Sequence, residues 1–185
     1  MFPVIDLPDP ERQAMRLDGE VYRLADGYLP IAVPDVPTTR AVATLALRPR
    51  RLVAARLTAA WIWGAISSAP RRGEYLVDID ARWRPQPAEA IDVVESVIHP
   101  GDIDVLGGVA VTTPLRTAVD LARFRSEFTP ADAAAVVVLA RQGGFSLADT
   151  VGVMNRGRNL AGKQLATERL TAALADQPEL TRYTS

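Results

Sequence analysis

The second half of the sequence contains three successive helix-start signals, and these constrain the fold more than any other feature. Thr113 is a capping residue placed directly before Pro114, which suits the first position of a helix. Residues 129–132 and 146–149 each have the spacing of a capping box, with Asp in place of the usual Glu. These signals predict helices over residues 114–125, 130–142 and 147–155, and a last helix is predicted over residues 162–175.

The first half of the sequence alternates short strand patterns with turn residues. The stretch "EVYRLADGYLPI" predicts two strands joined at Asp26-Gly27, after a helix over residues 9–17 with Asp9 as its cap and Pro10 at its first position. Three more strands are predicted at "EYLVDI", "IDVVESVI" and "VAVT", with "GDIDVLGG" as a turn-rich link before the last. Two further helices are predicted over residues 38–47 and 58–66. The fold class is therefore α+β, with an N-terminal β-hairpin, a small central sheet and a helical C-terminal half.

Rare residue types exclude several kinds of site. There is no cysteine, which excludes disulfides, thiolate metal ligands and cysteine nucleophiles, and the single histidine, His99, excludes a multi-histidine metal centre. We therefore expect a non-enzymatic protein without a metal or a cofactor. The N-terminal "MFPVIDLPDPER" lacks the basic start of a signal peptide, and the longest apolar run is far too short to span a membrane. The expected location is the cytoplasm, with no membrane partner.

The stretch "VTTPLRTAVDLAR" could be either a catalytic strand-to-helix turn or a structural joint. Its apolar residues recur at helical spacing, and Arg116 and Asp120 are four residues apart, so that their side chains can pair. The Gly-x-Ser-x-Gly pattern of a nucleophile elbow is absent. No second histidine is present to support Thr112 or Thr113 as a nucleophile. We interpret the stretch as a joint in which the Arg116–Asp120 pair ties the helix to the sheet.

Arginines concentrate in one part of the sequence. Residues 40–84 contain nine arginines against three acidic residues, whereas residues 85–110 contain five acidic residues and no Lys or Arg. If the arginines converge, they could contact nucleic-acid phosphates, where basic side chains supply most of the sequence-independent affinity. The alternative is a solvated basic surface. The candidates are Arg48, Arg50, Arg51, Arg56, Arg71 and Arg72, together with Arg82 and Arg84.

Three weaker candidates have simpler structural interpretations. The stretch "GRNLAGKQ" has the glycine and lysine spacing of a phosphate-binding P-loop, but Gln164 stands where a Mg²⁺-binding Ser or Thr is required. We interpret it as a glycine break, with Lys163 in the first turn of the last helix. His99 is expected in a turn after a strand. Trp61 is expected in the core, and Trp63 is expected to pack against another element or a partner, with stacking on a nucleic-acid base as the alternative.

The segment "GVAVTTPLRTAVDLAR", residues 108–123, resembles a "GV-x-VT-[ST]-P-x-RT-x-x-DLA" block of the AbiEi antitoxins, the regulator half of type IV toxin–antitoxin systems. Other stretches resemble segments of that family in the same order. The stretch "DGEVYRLADGYLPI" resembles the family's N-terminal wing, and "ARLTAAWIWGAI" resembles one of its helices. The stretch "SVIHPGDIDVLGGVAVT" resembles the strand and spacing that precede the signature. The resemblance covers about residues 18–160. The residues that match the signature are Thr113, Pro114, Arg116, Thr117 and Asp120.

The resemblance implies a function and a domain organisation. Such antitoxins repress their own operon and counteract a nucleotidyltransferase toxin, so the implied partners are operator DNA and that toxin, without a required stable complex. Residues 1–35 would be a residual winged-helix-like segment with its hairpin, and residues 36–185 an α+β domain ending in a helical bundle. The family's winged helix places three helices before the wing, whereas only about 18 residues precede this hairpin. Either the sequence is truncated or the winged helix has been lost. The alternative function is therefore a protein-interaction module that no longer binds DNA. The oligomeric state is left open.

Overall fold

A computed structural model describes residues 7–25, 27–45, 48–81, 91–156 and 161–175. Helix α1 (Asp9–Leu17) leads into an antiparallel hairpin of β1 (Val21–Leu24) and β2 (Gly27–Pro30), in which Leu24 lies opposite Gly27. The predicted hairpin is confirmed. The predicted cap is wrong by one residue, because Pro8 is the N-cap of α1 and Asp9 is already helical, with Pro10 in the first turn.

The next segment forms two helices separated by a short strand. These are α2 (Pro37–Leu45), β3 (Val53–Ala54) and α3 (Arg56–Ile62). Helix α3 starts two residues earlier than predicted and ends four residues earlier, because Trp63 is its C-cap and Gly64 follows with a φ of 77°. Glycine adopts this left-handed conformation without a steric penalty, so it ends the helix. Residues 46 and 47 of the predicted α2 lie outside the described residues.

The remaining strands build a mixed five-stranded sheet. They are β4 (Gly73–Asp78), β5 (Ile91–Ser96), β6 (Ile103–Leu106) and β7 (Val109–Thr112), and the strand order is β5-β4-β3-β7-β6. A short 3₁₀ turn, Ile79–Ala81, follows β4. Strand β4 is parallel to β5 and antiparallel to β3, while β7 is parallel to β3 and antiparallel to β6.

The interpretation of "GDIDVLGG" as a link is wrong, since Ile103–Leu106 forms strand β6 and pairs with β7. Gly107 and Gly108 close this hairpin with φ values of 61° and 86°, as a tight two-residue turn between strands requires. Asp102 directly precedes this short strand and Asp104 interrupts its apolar pattern, so it resembles a polar loop in the sequence.

The C-terminal half is helical, as predicted. It contains α4 (Pro114–Phe124), α5 (Pro130–Gly143), α6 (Leu147–Asn155) and α7 (Lys163–Leu174), and α4 packs against the other three and against α3. Both predicted capping boxes are present. The core of this half includes the fully buried Leu121, Leu139, Met154 and Leu170. The fold class is therefore α+β. Within the described ranges, no helix is both long and apolar enough to cross a bilayer.

Candidate nucleic-acid interface

A cleft of about 390 Å³ opens where the N-terminal hairpin meets α2, α3 and the start of β4. Three arginines from three separate segments line it: Arg23 on β1, Arg48 after the end of α2, and Arg71 just before β4. None of the described residues that line this cleft is acidic. We call it the basic cleft. Three guanidinium groups around one concave space favour an anionic ligand, because arginine binds phosphate and carboxylate through paired hydrogen bonds.

The inner wall of the basic cleft contains two aromatic rings, Trp61 and Tyr75, which are only 4% and 2% exposed. The guanidinium group of Arg48 lies 6.0 Å from the centre of the Tyr75 ring. Gly73, which also lines the cleft, is required for the position of that ring, because a Cβ atom there would lie 2.7 Å from the Tyr75 side chain.

Hydrogen bonds fix the groups behind the basic cleft. Arg40 lies over the Trp61 ring at 5.3 Å and donates to the Trp61 carbonyl oxygen over 2.8 Å. It also forms an ion pair of 2.6 Å with Asp35, and the hydrogen bond from Arg40 lowers the pKa of the Asp35 carboxyl. The Thr58 hydroxyl accepts the Glu74 backbone N–H over 2.8 Å. The walls of the cleft are therefore held in place by contacts within the protein.

The structure divides the predicted arginine cluster. Arg48 and Arg71 share the basic cleft, whereas Arg50 and Arg51 are exposed in the turn before β3 and do not line it. Arg72 donates to Asp92 over 2.7 Å, beside β5.

Arg56 lies elsewhere, with its guanidinium group 4.7 Å from the centre of the Phe124 ring on α4. Arg82 and Arg84 lie outside the described residues. Sequence reasoning missed Arg23, and strand alternation gives no signal for it, because the exposed Arg23 is two residues from the buried Val21 on the same strand.

The signature segment forms a structural joint at the start of α4. The Thr113 hydroxyl accepts the Arg116 N–H over 3.3 Å as the predicted N-cap, and Pro114 is the first helical residue. The Thr117 and Thr112 hydroxyls are hydrogen-bonded over 2.7 Å and are buried, which joins α4 to the end of β7. The hydroxyls of Thr112, Thr113 and Thr117 are therefore all used in hydrogen bonds within the protein.

Arg116 is the centre of a buried ion network. Its guanidinium group donates to Asp120 over 2.9 Å, to Asp102 over 2.6 Å and to the Ser96 hydroxyl over 3.0 Å. Asp102 also accepts from Arg156 over 2.9 Å. Since Ser96 ends β5 and Asp102 precedes β6, the network ties α4 to the sheet, and the predicted Arg116–Asp120 pair is confirmed.

Burial and charge act in opposite directions within this network. Burial lowers the pKa of the Arg116 guanidinium, but the negative charges of Asp120 and Asp102 more than compensate and hold it above its ordinary value. Burial raises the pKa of the Asp120 carboxyl, and Arg116 opposes this shift most strongly, followed by Arg123 and Arg56. Burial lowers the pKa of Arg123, which lies 3.7 Å from Asp120. The neighbouring charges therefore compensate for burial fully at Arg116 but only in part at Asp120.

The weaker candidates have structural contacts. Lys163 starts α7 and its ammonium group donates to the Asn155 side chain over 2.6 Å; residues 157–160 of the P-loop-like stretch lie outside the described residues. His99 lies in the turn after β5, and its backbone N–H donates to Asp102. Trp61 is buried as predicted, and the Trp63 indole donates to the Thr112 carbonyl oxygen over 2.8 Å, so it packs against another element.

Across the described ranges, no group of three or more His, Asp or Glu side chains is arranged to hold a metal ion. Comparisons with the known protein-family models and with the curated proteins find no match to this chain.

Proposed function

We propose that this chain is a non-enzymatic, antitoxin-like transcriptional regulator that acts in the cytoplasm and contacts DNA phosphates through the basic cleft. The observation that carries the DNA contact is the convergence of Arg23, Arg48 and Arg71 on one concave surface whose described lining has no carboxylate. The antitoxin role rests on the resemblance of residues 108–123 to the AbiEi signature. Operator DNA and a nucleotidyltransferase toxin are the partners that this role requires.

The chemistry of the cleft favours contact with the backbone of nucleic acid. Guanidinium groups neutralise phosphates and release bound counterions, which gives affinity that is independent of base sequence and falls with salt. Contacts to phosphate position a protein on DNA, whereas reading a sequence requires contacts to the edges of the bases. The three arginines therefore support weak binding with little sequence preference.

The test is a titration of a labelled DNA duplex at two salt concentrations. Arg48→Ala/Arg71→Ala should reduce the affinity and flatten the salt dependence, since each lost phosphate contact lowers the logarithmic salt slope by about 0.9. Arg50→Ala/Arg51→Ala removes the same charge from the neighbouring exposed turn and is the matched control. Equal losses in both double variants would contradict the assignment to the cleft. No binding by the native chain at low salt would favour an interaction module instead.

The antitoxin role has a separate test. A nucleotidyltransferase reading frame beside the gene should arrest growth when it is expressed alone, and co-expression of this chain should restore growth. If no such frame is present, or if co-expression leaves the arrest unchanged, the antitoxin role is excluded, whatever the DNA titration shows.

A further inference from the structure

We infer that the basic cleft receives unpaired nucleotides, so that its preferred ligand is a single strand of nucleic acid and not a base-paired duplex. This inference rests on the proposed function, because it uses the same arginines as phosphate contacts. It adds which form of nucleic acid enters the cleft: an unpaired segment lies between the arginines, whereas operator duplex contacts them only at the rim.

The shape of the basic cleft is the first argument. Its volume of about 390 Å³ lies in the range of pockets that enclose one small organic ligand, roughly 300–1,000 Å³. Arg23, Arg48 and Arg71 approach this space from three separate chain segments, so they surround a ligand and do not form a flat basic plane. The phosphates of a duplex lie on the outside of a convex rod whose bases point inward. A single nucleotide unit can enter the concave space, whereas a duplex can only touch its rim.

The chemistry of the lining is the second argument. Between the arginines, the cleft is lined by apolar surface from Ala69 and Pro70, and the Trp61 and Tyr75 side chains are almost fully buried behind it. Unpaired bases expose faces that a duplex hides, and proteins bind single strands in positively charged grooves that also offer surface to those faces. Guanidinium planes also stack on unpaired bases. A site for phosphate alone would not need the apolar part of this lining.

The fixed position of the walls is the third argument. Arg40 forms an ion pair with Asp35 and donates a hydrogen bond to the Trp61 carbonyl oxygen. The Thr58 hydroxyl accepts a hydrogen bond from the Glu74 backbone N–H. A preformed cleft loses little conformational entropy when it binds, which allows a short and flexible ligand to be held.

The test compares a labelled oligodeoxythymidylate of sixteen residues with a blunt-ended duplex of sixteen base pairs, which has no unpaired nucleotide, by fluorescence anisotropy at low salt. We expect the single strand to bind at least tenfold more tightly. Charge alone predicts the opposite preference, because the counterion effect per phosphate contact is larger for duplex DNA than for single strands. Duplex binding that is equal or tighter overturns the inference but leaves the proposed DNA contact intact. If neither ligand binds at low salt, both fail.

Two variants test whether the concave space carries this preference. Ala69→Leu narrows the cleft without changing its charge, and we expect it to reduce the ratio of single-strand to duplex affinity at least fivefold. Ala134→Leu makes the same change at an exposed position of α5 and should leave the ratio unchanged. If Ala69→Leu does not fold, Gly73→Ala is used instead, because the added Cβ displaces the Tyr75 ring. We expect the same reduction in the ratio of single-strand to duplex affinity. An unchanged ratio in a folded cleft variant overturns the inference.

A competition experiment separates the strand from a free nucleotide, which carries the same phosphate and base. Thymidine monophosphate should displace the labelled strand only at concentrations at least a hundredfold above the unlabelled strand. Displacement at a similar concentration would show that the site serves a mononucleotide, and would overturn the assignment to a strand.

Discussion

Arginines have opposite roles in two regions of this molecule. In the buried network at the start of α4, Arg116 is enclosed by two carboxylates and a hydroxyl, and its charge is used within the protein. In the basic cleft, Arg48 and Arg71 border a space whose described lining includes no acidic residue. The residue type is the same, so the neighbours contributed by distant parts of the chain decide whether an arginine is enclosed by carboxylates or borders a cleft. The two regions therefore predict different consequences for the same substitution.

The largest effect is expected in the buried network. Arg116→Ala and Asp120→Ala should each lower the free energy of unfolding by about 3–5 kcal/mol, because removing one partner leaves the other charge buried and only partly compensated. Urea unfolding of both single variants and the double variant measures their coupling energy.

The exposed pair of Arg72 and Asp92 provides the control for this experiment, since both side chains are more than half exposed. Arg72→Ala should cost no more than about 1 kcal/mol. A solvated ion pair on a helix contributes roughly 0.2–0.5 kcal/mol. If the coupling energy between Arg116 and Asp120 is no larger than this, burial does not strengthen the pair.

A smaller effect is expected at the cap of α4. Thr113→Ala should lower the free energy of unfolding by about 0.5–2 kcal/mol, because the backbone N–H of Arg116 loses its acceptor. Thr113→Ser retains the hydroxyl and should restore most of the stability in thermal unfolding. A selective loss of DNA binding in a Thr113→Ala protein of unchanged stability would contradict the structural role of this segment.

The smallest effect on stability is expected in the basic cleft. Arg48→Ala/Arg71→Ala should change the free energy of unfolding by no more than about 1 kcal/mol, the size of one exposed cation–π contact such as that of Arg48 with the Tyr75 ring. The melting temperature checks this directly on the protein used for the DNA titrations. A large destabilisation would remove the contrast between the two regions, because it would show that the cleft arginines also hold the fold together.

The parts of the fold that could be predicted from the sequence are those encoded by neighbouring residues. The capping boxes at residues 129–132 and 146–149 define helix starts within four residues, and both are present. Strand β6 was missed, because its pairing with β7 becomes recognisable only once Gly107 and Gly108 are identified as a hairpin turn. The parallel pairing of β4 with β5 depends on contacts across a connection that no local pattern specifies.

The site was predictable only in part for the same reason. The concentration of arginines in residues 40–84 indicated a basic surface, but it did not show that Arg56 faces α4 or that Arg72 is paired with Asp92. Arg23 is separated from Arg48 and Arg71 in the chain, and the fold of the hairpin brings it to the cleft. Charge density along a sequence therefore indicates that a basic face exists, whereas its members are decided by tertiary structure.

The brevity of β3 has a consequence for the order in which the protein folds. This strand contributes two residues, and among the described strands it is the one that joins the β4–β5 half of the sheet to the β6–β7 half. The β6–β7 hairpin closes over a two-residue turn and forms quickly, whereas Ala54 can pair with Val111 only after a long stretch of chain has been brought back. We therefore expect the pairing of β3 with β7 to be among the last contacts of the sheet to form.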